Sequence, residues 1–160
     1  MKIDDLTLTL FKWNDIPVTK YAAGSSNLTG ESALGLLRIR TDDGIEGHAF
    51  LGSATFSAEI DCRGLMQFLK PLVMGEDPLD REKIYQAMWK QNRKVTIRSI
   101  GAIDVALHDI AAKAAGVPLY KLLGSFRDKI PAYASSAILS EPEEYAEEAL
   151  QYKEDGWAAY

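Results

Sequence analysis

Asp104 and His108 stand four residues apart in a segment of helical periodicity, and Asp109 follows directly after. That spacing stacks a carboxylate and an imidazole on one helix face, where they can share a metal ion or a proton. A metal site needs further ligands, and the nearby sequence offers no third. Polar anchoring of a packed helix is therefore the favoured reading. His48 lies in an alternating segment and reads as a surface or hydrogen-bonded structural histidine. Cys62, the one cysteine, falls in a helical segment and reads as a packing residue. It has no partner for an internal disulfide. The sequence contains no glycine-rich phosphate loop and no serine nucleophile elbow.

Two loops hold the remaining candidates. The first covers residues 16–30 and carries Tyr21, Ser25, Ser26 and Asn27, with Pro17, Gly24 and Gly30 breaking any period. The second covers residues 50–56 and carries Phe50, Leu51, Ser53 and Phe56. They follow the first and third strands of an expected meander. Those strands run the same way, so the loops lie at matching ends and could jointly cover a site. Composition alone supports simple connectors equally well.

The elements that position these loops follow from periodicity. Residues 3–11 alternate, with Leu6, Leu8 and Leu10 on one face, as a half-buried strand does. Residues 33–40 and 45–51 are two more strands, joined at Asp43-Gly44, where glycine accepts the positive φ of a tight hairpin. Ser53 or Thr55 can cap a helix over residues 58–69 with Ile60, Leu65, Phe68 and Leu69 on its buried face. Asp77-Pro78 fits the start of a second helix that buries Leu79, Ile84, Met88 and Trp89. A third, over residues 99–115, repeats Ile100, Ile103, Leu107, Ile110 and Ala111. Its small residues Gly101, Ala102, Ala106, Ala112 and Ala115 permit a close neighbour. Gly116 and Pro118 end it. Residues 129–136 read as a strand and residues 140–155 as a helix with Ser140 and Glu143 in capping-box spacing. Residues 157–160 restart a strand, which completes a strand-helix-strand pattern of a parallel sheet. The chain stops inside that strand, so a longer protein is expected, because an unpaired strand leaves backbone groups without partners.

Composition excludes several classes. Apolar residues are 47% and charged residues 26%, ordinary for a globular chain of 160 residues. A net charge of −5 argues against a nucleic-acid surface. The basic run Arg93, Lys94 and Arg98 reads as a solvated helix end or loop. No apolar run is long enough for a signal peptide or a membrane span, so a cytoplasmic location is expected.

Three stretches, TDDGIEGHAFLG, LKPLVMGEDPLDREKIYQAMW and AIDVALHDIAAKAAGVPLYKLLG, resemble the N-terminal part of enolase-superfamily enzymes of the mandelate racemase and muconate lactonizing type. The resemblance covers nearly the whole chain. Two residues depart from it: His108 stands where the family usually has an aromatic, and Ser125 replaces a common second glycine. The resemblance implies an α+β fold. A three-stranded antiparallel meander with a helical capping domain would fill residues 1–126. Residues 127–160 would open a modified (β/α)-barrel. It implies proton abstraction beside a carboxylate, giving an enediolate that Mg²⁺ stabilises. The Mg²⁺ ligands and the catalytic bases are expected beyond residue 160, so no catalytic residue and no metal ligand is assigned in this chain. The two loops would close over the barrel mouth and read the distal end of a small carboxylate substrate, with Ser135 and Ser136 weaker candidates at a barrel strand's end. The resemblance also implies a homo-oligomer. The polar first loop leans towards sugar acids and hence a dehydratase. The apolar second loop keeps a racemase or cycloisomerase open. A stand-alone, non-catalytic binding or assembly module is the reading of another class.

Overall fold

The first strand changes phase near its start. In a computed structural model describing residues 1–14, 31–53, 56–136 and 138–160, β1 spans Ile3–Trp13 and pairs antiparallel with β2, Ser32–Thr41. The register shifts between Ile3 and Asp5, so Asp4 is an extra residue bulged from the ladder. The bulge lets Ile3 and Leu6 both face the core despite their odd separation, each 1% exposed or less. Leu8 is half-buried, while Leu10, near the far end of this edge strand, is exposed.

Strand β3, Glu46–Leu51, completes a sheet of order β1-β2-β3. The hairpin behaves as its glycine requires. Gly44 takes φ +82°, and its N–H donates to the Thr41 carbonyl at 2.9 Å. Thr41 Oγ1 accepts from Ile45 N–H at 3.0 Å, and Lys2 N–H donates to Asp42 Oδ1 at 2.7 Å.

Helix α1, Ala58–Gly64, is capped by Ser57 rather than by Ser53, and Thr55 lies outside the described residues. The helical run continues past the expected end at Leu69, through a π-helical turn at Leu65–Leu69, into α2, Lys70–Val73. Pro71 explains the widening. In a regular helix its ring would meet the carbonyl four residues back, and it has no N–H to give. Instead Lys70 N–H reaches the Leu65 carbonyl, five residues back. The buried stripe is Ala58, Asp61, Leu65, Leu69 and Val73; Ile60, expected inside, is 65% exposed.

Asp77-Pro78 forms a turn before the helix instead of its first residues. Asp77 Oδ1 accepts from Leu79 N–H at 3.0 Å, and its carbonyl accepts from Asp80 N–H at 3.0 Å. Such an Asx turn satisfies the aspartate locally, so α3 begins only at Arg81 and runs to Trp89. Ile84 and Met88 are buried as expected, whereas Leu79 and Trp89 are exposed.

Helix α4, Ile97–Ala114, is the centre of the core. Thr96 caps it, accepting from Ser99 N–H. Gly116 at φ +65° closes it, with Gly116 N–H donating to the Lys113 carbonyl and Val117 N–H to that of Ala112. Ile100, Ile103, Leu107 and Ile110 are fully buried, each worth about 1.5–3 kcal/mol of apolar transfer. The expected close approach occurs between Ala106 and Gly47: a Cβ on Gly47 would sit 2.0 Å from the Ala106 carbonyl oxygen. At Gly101 nothing lies within 4 Å, so that glycine serves no such contact. A short α5, Leu119–Leu122, ends the unit.

The described residues divide into two compact units, residues 1–14 with 31–124, and residues 125–160. In the second, α6 spans Pro142–Glu154. Its capping box is displaced by one residue from the expected pair: Glu144 Oε2 accepts from the N–H of Glu141 at 3.0 Å and of Ser140 at 2.9 Å. The flanking segments, expected as strands, form no ladder. One backbone bond joins them, from Ala134 N–H to the Ala159 carbonyl at 3.0 Å. A lone parallel pair lacks the covered faces and further strands on which such sheets depend.

Candidate functional site

The elements of the first unit converge where β1 stops and β2 begins. Trp13 and Ser32 are cross-strand partners, so the chain leaves β1 and enters β2 at one end of the sheet. The residues after β3 are stitched to the same end. Ser32 Oγ donates to the Ser53 carbonyl at 2.7 Å, and Ala33 N–H donates to Ser57 Oγ at 3.2 Å. Ser53 N–H donates to the Phe56 carbonyl at 2.8 Å, while Ser53 Oγ accepts from Phe56 N–H at 3.2 Å. Gly52 makes this possible. It takes φ +84°, and a Cβ there would lie 2.5 Å from the Ala33 carbonyl. Ser53, Phe56 and Ser57 are therefore tied to one another and to the start of β2.

Among the sequence candidates, Phe50 is 74% exposed and pairs with Leu36 across the sheet. Leu51 is the correction here. Strand alternation turns it inward, where it joins the core cluster at 3% exposure and offers no side chain to a ligand. Ser53 belongs to the stitched turn. Tyr21, Ser25, Ser26 and Asn27 lie outside the described residues. Ser135 belongs to the second unit and is exposed there. In that unit Tyr160 Oη donates to Glu148 Oε2 at 2.8 Å, and burial pushes the phenol above its ordinary range.

The trio Asp104, His108 and Asp109 does not converge. His108 Nδ1 lies 2.9 Å from the Asp104 carbonyl and 3.5 Å from its carboxylate. Asp109 is engaged elsewhere: its Oδ2 accepts from His48 N–H at 2.9 Å and from Lys113 Nζ at 2.8 Å. It fastens α4 to β3, the anchoring role expected for this cluster. His48 stands half-exposed between Glu46 and Asp109. Among the described residues, no group of three or more His, Cys, Asp or Glu side chains could hold a metal ion. No helix among them is long and apolar enough to cross a membrane.

Sequence reasoning missed Asp61. It is 1% exposed, and its carboxylate accepts from Thr96 Oγ1 and from Arg98 Nε at 3.2 Å. Arg98 is thus a partner of a buried acid and not part of a solvated run. The signal was available, because Asp61 falls on the stripe with Ala58, Leu65 and Leu69. On the outer sheet face, Arg40 pairs with Asp4 at 3.0 Å, and that hydrogen bond raises the guanidinium pKa above its ordinary value.

Known proteins share this architecture. Residues 10–124 match the family model "Mandelate racemase / muconate lactonizing enzyme, N-terminal domain". L-talarate/galactarate dehydratase of Salmonella typhimurium is 33% identical over 135 residues, covering 76% of this chain and 33% of the relative. D-mannonate dehydratase of Novosphingobium aromaticivorans is 42% identical over 105 residues, covering 61% of this chain and 25% of the relative. The crystal structure of D-glucarate dehydratase from Agrobacterium tumefaciens, complexed with magnesium, superposes with a TM-score of 0.79 at 30% identity, over 98% of this chain and 43% of that one. The chain spans about a third of the length of the first of these curated relatives.

Proposed function

The chain belongs to the mandelate racemase and muconate lactonizing enzyme family through its N-terminal domain, and from that premise we propose that the whole protein is a Mg²⁺-dependent sugar-acid dehydratase. The observation that carries this reading is the 33% identity to a dehydratase across 76% of this chain. The reaction would abstract the proton beside the substrate carboxylate and expel a hydroxyl from the adjacent carbon as water. The residues of this chain would contribute the cap. Residues 1–126 form that domain, residues 127–160 begin the barrel, and the Mg²⁺ ligands and bases lie beyond residue 160. The stitched turn supports this division. It ties Ser53 and Phe56 to the sheet end where β1 stops and β2 begins. Phe50 presents an aromatic surface to the substrate's distal end, and Tyr21, Ser25, Ser26, Asn27, Ser53 and Ser135 supply polar contacts. A closed cap excludes water from a reactive intermediate. The protein works as a cytoplasmic homo-oligomer on small carboxylates.

The test is a screen of the full-length protein with Mg²⁺ against acid sugars and apolar acids. Dehydration appears as a 2-keto-3-deoxy acid. Turnover of apolar acids alone, with exchange at the α-carbon and no loss of water, rejects the dehydratase in favour of a racemase. In the active enzyme, Phe50→Ala raises KM by about tenfold with kcat largely kept, because it removes binding and not chemistry.

A further inference from the structure

The first unit carries a cationic hollow lined by none of the residues proposed to meet the substrate. It lies between α1 and the segment entering α4, with a volume of about 570 Å³. Arg63 and Gln67 border one side, Arg93 and Lys94 the other, and Phe68 lines its wall. That size suits a small molecule.

The hollow gathers three cations into one lining. Elsewhere on this unit some cations find carboxylates, Arg38 with Asp5, Arg40 with Asp4, Lys83 with Glu76 and Lys113 with Asp109, while Lys12, Arg81 and Lys90 stand singly without an ion pair among the described residues. Around the hollow, Arg63, Arg93 and Lys94 form no ion pair among the described residues. The one carboxylate of the lining, Asp61, is sealed and already committed to Arg98 and Thr96. Lys94 Nζ rests 5.3 Å from the Phe68 ring centre, which holds the ammonium at the rim. In a chain with 23 acidic and 18 basic residues, random placement would bring carboxylates into such a ring. Three cations without an ion pair among the described residues, set in one depression, raise the local potential and attract multivalent anions.

We propose that this hollow binds a small polyanion of the phosphate-ester or polycarboxylate class. Arg63, Arg93 and Lys94 grip its charges, Gln67 supplies an amide hydrogen bond, and Phe68 covers an apolar portion. Two or more negative charges are needed, since a monoanion leaves most of the cationic field unanswered. Arg–carboxylate and Arg–phosphate contacts are strong because both partners are ionised and the guanidinium presents paired donors.

The probes are pyrophosphate and citrate, added to the full-length protein, with sodium chloride at matched ionic strength as control. Either probe raises Tm by several degrees at millimolar concentration, and matched salt does not. The probe that acts identifies the ligand class. Calorimetric affinity falls about a hundredfold in the double variant R93Q/K94Q, roughly tenfold for each charged contact. The Tm of that variant without anion stays within a degree or two of the parent, because both side chains are exposed, form no ion pair among the described residues, and Lys94 gives up only a surface contact with Phe68. Arg63→Gln is the independent second variant, with about a tenfold loss. The proposal is overturned by equal affinities in parent and variants, or by no response to either probe. Neither outcome bears on dehydratase activity, which is read separately.

Discussion

Helices α4 and α6 are bounded by equivalent devices and differ in everything else. Thr96 opens α4 and Gly116 closes it; Glu144 reaches back to open α6, and Gly156 at φ +85° closes it. Both exits place a sixth-residue backbone bond, Val117 to Ala112 and Trp157 to Tyr152. Yet α4 buries nine residues and α6 buries none, so capping alone does not decide which helix carries the fold. Caps set where a helix begins and ends, at about 1 kcal/mol each. Burial sets how firmly it is held. Leu150 on α6 is 60% exposed, whereas Leu107 on α4 is completely enclosed.

Substitutions can break this contrast at several strengths. Gly47→Val should be the most damaging. Its new side chain enters the Ala106 carbonyl, and the variant loses about 3 kcal/mol or fails to fold. A Tm within a few degrees of the parent would falsify the close approach of β3 to α4. Leu107→Ala follows, with a loss of about 2–5 kcal/mol in denaturant unfolding. In the 160-residue chain Leu150→Ala should stay within about 0.5 kcal/mol. Comparable losses at the two positions would erase the distinction between the helices.

Asp61→Ala comes next. It strips the hydrogen-bond acceptor from Thr96 and leaves Arg98, which is 35% exposed, without its acid. Partial solvation of Arg98 holds the expected loss to about 2 kcal/mol, below that of a fully buried pair. An unchanged denaturation midpoint would show that the pair is decorative.

The smallest effect belongs to Glu76 and Lys83, 2.6 Å apart on the surface. Their hydrogen bond lowers the Glu76 pKa and raises that of Lys83. The glutamate's contribution is present above its unfolded pKa and fades as pH falls through its depressed folded value. The lysine's is present below its unfolded pKa and fades as pH rises through its elevated folded value. Glu76→Gln should therefore lower Tm slightly at neutral pH and leave it unchanged well below the carboxylate range. A difference that persists in strong acid would assign the effect to packing.

The legible parts of the chain were those whose cause is local. The Asp43-Gly44 hairpin, the strand alternation and the Gly116 exit each depend on residues within a few positions of one another. The helix starts shifted wherever a nearby side chain competed. Asp77 satisfied its own turn, Glu144 took the place expected of Glu143, and Ser57 capped α1 while Ser53 closed the turn before it. Of the candidate site, Phe50 could be placed on an exposed face from alternation, and the same alternation should have turned Leu51 inward.

What the amino-acid order settled by itself is the three-stranded meander, the longer helical segments of the first unit and the family resemblance. Periodicity and spacing carry that much, because they act along the chain. Tertiary contact alone decided the rest. It chose Asp61 as a buried acid with partners 35 and 37 residues away. It pressed Gly47 against Ala106, tied Ser53 to Ser32, and drew Arg63 beside Arg93 and Lys94. Each of these joins residues remote in sequence, and their energies exist only once the chain has closed the loop between them.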